Sequence, residues 1–128
     1  MDKVAIVSAD NYRLETVTAA LDTLFEKLGY DRDNPFGEIV HPGDQVFIKP
    51  NWVASRWRQS CDHVDSLYSV ITHPSVIEAV ADKVAVALKG KGKIIIADNP
   101  SIDADFDELM DFVKIEHLKT KYDVPCEI

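Results

Sequence analysis

The chain is poor in the features that mark specialised classes of protein. Its two cysteines, Cys61 and Cys126, stand far apart and form no CxxC pair. Two thiols cannot hold a four-thiolate iron–sulfur cluster, and nothing points to the oxidising compartment in which a disulfide framework forms. No stretch approaches the roughly 18 apolar residues that a membrane-spanning helix needs. The start, Met1 to Val7, lacks the apolar core and cleavage site of a secretory leader. Basic residues are scarce: 14 Lys and Arg stand against 22 Asp and Glu, for a net charge of -8. Such a balance disfavours a surface that coats nucleic acid, because phosphate contacts need clustered cations. GxGxxG, P-loop, GxSxG and HExxH patterns are all missing, which removes the main support for dehydrogenase, nucleotide-hydrolase, serine-hydrolase and zinc-protease chemistry. The expectation is a cytoplasmic protein with neither nucleic acid nor membrane as partner.

What the chain does contain is the material of one domain, residues 1–128, with 46% apolar residues and room for a single core. Val4-Ala5-Ile6-Val7 has the continuous apolar character of a strand buried on both faces. Ser8, Asp10 and Asn11 offer caps for a following helix, in which Leu14, Val17, Leu21, Leu24 and Leu28 form one stripe that Gly29 ends. A turn at His41–Asp44 leads into the strand Gln45–Ile48. From Trp52 to Ile71 no period holds, and a loop of that length is often functional. Pro74 and the capping-box pattern of Ser75 and Glu78 open a helix through Val76, Ile77, Val80, Val84 and Leu88. The strand Lys93–Ala97 follows. A last helix is expected over about Asp105 to Lys119, with Phe106, Leu109, Met110, Val113 and Leu118 inward, and a strand begins near Val124. This order predicts an α/β three-layer sandwich with a mostly parallel sheet, or an incomplete version of one.

Three polar clusters lie where open α/β sheets bind ligands, at the carboxyl ends of strands. Lys49 and Asn51 follow the second strand; they can hold a carboxylate or phosphate, or simply end the strand in a solvated turn. Thr72 and His73 precede a helix whose free N–H groups favour an anion, and each can equally serve as its cap. His73 is also suited to proton transfer or metal ligation. Asp98 and Asn99 follow the most apolar strand; Asp98 can orient substrate or metal, pair with Lys49, or form an Asx turn with its neighbours. Cys61, Asp62, His63 and Asp65 are dense in metal-ligand types but lack zinc spacing, so no metal site is assigned. Arg56 and Arg58 nearby are candidate anion clamps. Trp52 and Trp57 are expected to pack the loop down, and Tyr12 to sit in the core or at its rim.

The succession Pro42-Gly43-Asp44-Gln45-Val46-Phe47-Ile48-Lys49-Pro50-Asn51, then Thr72-His73-Pro74-Ser75, then Ile94-Ile95-Ile96-Ala97-Asp98-Asn99-Pro100 resembles the DUF362 family in the order and spacing of three motifs. The likeness covers nearly the whole chain. Trp52 stands where the family usually has Leu. Members tend to be longer, so the chain resembles their N-terminal portion. Some carry ferredoxin-like cysteine motifs; this chain has none, so no redox role carries over and no cofactor is assigned.

Two functions follow. In the first, a small-molecule enzyme domain binds an anionic metabolite at the strand ends, with Lys49, Asn51, Thr72 and Asn99 binding substrate and His73 and Asp98 catalytic. In the second, the chain is a non-catalytic binding or assembly module completed by other polypeptide, and an unpaired sheet edge invites a homo-oligomer.

Overall fold

The computed structural model describes residues 3–56 and 64–128. Three parallel strands, β1 (Gln45–Ile48), β2 (Lys93–Ile96) and β3 (Cys126–Glu127), form one sheet in the order β1-β2-β3. Val46 pairs with Ile94, and Ile94 with Cys126. Three helices accompany them: α1 (Leu14–Leu28), α2 (Pro74–Leu88) and α3 (Phe106–Val113), with 3-10 turns at Val64–Ser69 and Glu116–Thr120. The fold is α/β with a parallel sheet, as the strand and helix order predicts.

Two parallel crossovers, β1-α2-β2 and β2-α3-β3, advance in the same direction. The right-handed rule therefore sends both crossover helices to one face of the sheet. The core agrees: Ile77, Ala81, Val84 and Leu88 of α2 join Leu109 and Val113 of α3 in one cluster with Ile94, Ile96 and Cys126. Helix α1 packs on α2 rather than on the strands. Its stripe is only partly covered, with Val17 its one buried residue. The other sheet face carries Phe47, 59% exposed, and a Lys93–Glu127 ion pair of 2.5 Å.

Local sequence explains most boundaries. Gly29, at φ 90°, turns α1 off, and the N–H groups of Gly29 and Tyr30 return to the carbonyls of Glu26 and Phe25 at 3.0 Å each. Gly92 is required by close approach: a Cβ there would lie 2.3 Å from the Asp44 carbonyl oxygen.

Five expectations are corrected. Val4–Val7 forms no strand; Val4 and Ile6 are 88% and 87% exposed, because no neighbouring strand supplies a ladder. The residue capping α1 is Arg13, which makes no side-chain cap bond, while Asn11 Oδ1 accepts the Arg13 N–H at 2.9 Å. Ser75 and Glu78 form no capping box: Pro74 occupies the first helical turn and His73 becomes the cap, leaving Glu78 to His117 and Lys121. The last helix stops at Val113, where Lys114 turns left-handed (φ 52°), and Leu118 reaches the core from the separate 3-10 turn. Phe106, expected inward, is 41% exposed.

Candidate functional site

Parallel pairing of Ile48 with Ile96 brings the residues after β1 and β2 to one edge. Lys49 Nζ donates to Asp98 Oδ1 at 2.6 Å, and the Trp52 N–H donates to Asp98 Oδ2 at 2.7 Å. The Asp98 side chain is 4% exposed. Burial alone would raise its pKa, but the Lys49 hydrogen bond and the N–H groups of Trp52 and Asn99 outweigh it and hold the carboxyl below its ordinary value. Asp98 is therefore a fixed carboxylate organising two loops. Lys49 is 64% exposed and has one carboxylate partner, so its ammonium still faces solvent.

Asn51 and Thr72 fasten the start of the long loop to its end. The Asn51 N–H donates to Thr72 Oγ1 at 2.8 Å, the Thr72 N–H to the Asn51 carbonyl at 2.9 Å, and Asn51 Nδ2 to the Val70 carbonyl at 2.7 Å. Trp52 bridges to Ile71 between these contacts and is fully buried, as its expected packing role requires. Asn99 is exposed and serves Asp98 through its backbone.

His73 is both cap and ring platform. Its Nδ1 accepts the Ser75 N–H at 3.2 Å and lies 2.7 Å from Ser75 Oγ. A backbone N–H can only donate, so the neutral ring carries its proton on Nε2. Tyr12 stacks on the ring at 4.3 Å and Tyr68 tilts against it at 4.4 Å. Burial lowers the His73 pKa. The imidazole thus stands neutral near pH 7, with Nε2–H as its remaining donor.

The loops that follow β1 and β2 enclose a cavity of about 760 Å3, lined in part by Val53, Ser55, Arg56, Ser101, Asp105 and Glu108; Lys49, Asn51, Thr72, His73, Asp98 and Asn99 do not line it. That volume suits a small organic ligand. Its walls are tied together: Ser101 bonds the Val53 carbonyl, the Asp105 N–H donates to Ser55 Oγ at 3.0 Å, and Arg56 Nε sits 2.8 Å from both Glu108 oxygens. Of these, the sequence marks only Arg56 as a candidate ligand contact. Asp105-x-x-Glu108 was a legible capping signal, and Asp105 Oδ1 does accept the Glu108 N–H at 3.1 Å. Ser55 and Ser101 carried no signal that local sequence could show.

Trp57, Arg58, Cys61, Asp62 and His63 lie outside the described residues, and Asp65 falls on the first 3-10 turn. Among the described residues no group of three or more His, Cys, Asp or Glu side chains is placed to hold a metal. No described helix is long and apolar enough to cross a membrane.

Fold and site together define an α/β domain with a parallel sheet and a polar, cavity-bearing carboxyl edge. Over 99 residues, 77% of this chain, it is 33% identical to a protein of Synechocystis sp. named "Thylakoid-associated protein sll1697". The chain spans about a quarter of that relative's length, 26%. No family model matches the chain, and no solved structure matches it.

Proposed function

We propose that this chain is a DUF362-like, cytoplasmic ligand-binding domain that holds a small carboxylate or phosphate at the carboxyl edge of its sheet. The observation that carries this reading is Lys49, an exposed ammonium fixed at the end of β1 by a buried carboxylate. Asp98 neutralises one side of Lys49 and pins its direction, and the Pro50 carbonyl accepts from Nζ at 3.5 Å; the third ammonium donor is available to an anion. His73 would contribute Nε2–H as a neutral donor. Proton or group transfer on that ligand is the chemistry these side chains suit, with His73 as the transferring group. The relative's name connects that protein with thylakoids; no membrane role is carried from it to this chain.

The test is a thermal-shift and calorimetric screen with inorganic phosphate and small mono- and dicarboxylates, repeated on Lys49→Ala. A ligand that binds the folded state raises its melting temperature by mass action. A ligand-specific rise that Lys49→Ala loses supports the reading. A rise of equal size in both proteins overturns it.

A further inference from the structure

Among the described residues, the edge of β1 away from β2 is unpaired. The Lys93 N–H donates to the Asp44 carbonyl at 3.0 Å, the Ala97 N–H to the Ile48 carbonyl at 3.2 Å, and Val46 stands opposite Ile94. In a parallel ladder one strand's alternate residues serve one neighbour. Gln45 and Phe47 therefore turn their N–H and C=O groups to the open side, beside a Phe47 ring left 59% exposed.

The same chain carries an apolar segment whose backbone is unpaired. From Lys3 to Ala9, among the described residues, no backbone group makes a backbone hydrogen bond. Burial alternates along it, with Val4 and Ile6 out and Ala5 and Val7 half-buried, as in an extended strand seated on one face. That face rests on α1: Val7 shares a cleft with Thr16 and Ala20, and Lys3 Nζ lies 3.7 Å from where a Gly29 Cβ would be. Helix α1 in turn packs on α2 and not on the strands.

We propose that two copies of this chain associate by strand addition, Val4–Val7 of each pairing in parallel with β1 of the other. Charge selects the direction. Set parallel beside Gln45–Ile48, the segment brings Lys3 next to Asp44 and carries Asp10 toward Lys49; antiparallel, it would set Lys3 against Lys49. Each copy offers both the segment and the edge, so the exchange is reciprocal and closes as a two-fold dimer. Backbone bonds supply the affinity, and the side chains of Ile6 and Phe47 meet on the open face.

Sedimentation equilibrium of the full 128-residue chain is expected to give twice the 14.3 kDa mass. Ala5→Pro should lose the dimer and leave a cooperatively melting monomer, since residue 5 makes no backbone bond in one chain, whereas in the parallel register its N–H donates to the Gln45 carbonyl of the other copy. Phe47→Lys, which leaves the backbone donors in place, should weaken the dimer as well. Amide exchange at Phe47 should be slow in the wild-type protein and fast in Ala5→Pro. A monomer at all concentrations overturns the proposal, and so does a dimer that survives Ala5→Pro. A monomer with a slow Phe47 amide would assign the edge to the chain's own segment and overturn it equally.

Discussion

Asp98 and Tyr122 are acids of opposite behaviour: burial opposes the charge of both, and of the two only Asp98 has the donors to keep it. Asp98 receives Lys49 Nζ at 2.6 Å and the Trp52 N–H at 2.7 Å, whereas the Tyr122 hydroxyl must itself donate to Asp82 Oδ1 at 2.9 Å. The first is held ionised and the second protonated, by the same loss of water.

Asp98→Ala should cost about 2 kcal/mol, because it strands the Trp52 N–H at a buried position and removes the Lys49 contact. The pH dependence has a definite sign. The folded pKa lies below the ordinary 3.8, so the unfolded state binds more protons. The stabilisation is complete above that value and is lost as pH falls through the folded pKa. Urea titrations of wild type and variant should therefore converge in acid.

His73→Ala should lose about 1 kcal/mol through the helix cap, and His73→Asn should keep most of it. Burial lowers the His73 pKa from 6.5. Its contribution is complete above 6.5 and declines as pH falls toward the folded pKa, because the unfolded ring takes up the proton first. The wild-type protein should thus lose more stability between pH 7 and pH 5 than His73→Asn does, measured by urea midpoints.

Tyr122 should lag in alkaline titration. Burial, then the hydrogen bond to Asp82, push its phenol well above the usual value. Of the four tyrosines in the chain, one equivalent of absorbance change should appear late, and Tyr122→Phe should remove it at a cost of about 1 kcal/mol.

Gly92→Ala should destabilise by about 3 kcal/mol or prevent folding, since its Cβ would collide with the Asp44 backbone at φ 120°. Gly43→Ala, at φ 103° with nothing within 4 Å, should cost only about 1 kcal/mol. Comparing the two by thermal denaturation separates steric contact from backbone strain.

Much of the architecture was legible because it is short-range. The three-and-four spacing from Leu14 to Leu28 and the apolar run Ile94–Ile96 specify a helix and a strand through neighbours a turn or less away. Lys49 and Asp98 were recognisable as strand-end residues for the same reason, and parallel pairing alone makes them partners.

Amino-acid order thus determined α1, α2, β2, the parallel α/β character and the polar carboxyl edge, all of which rest on local periodicity and turn chemistry. Tertiary structure decided the rest. Val4–Val7 has the composition of a strand but becomes one only when another strand lies beside it. Glu78 has the spacing of a capping box, yet Lys121 at 2.7 Å and His117 at 3.1 Å claim it from more than thirty residues away. Ser55 and Ser101 meet the cavity only because two loops converge there. Each of these outcomes depends on which distant groups arrive at a site, and a contact between distant residues leaves no period in the chain.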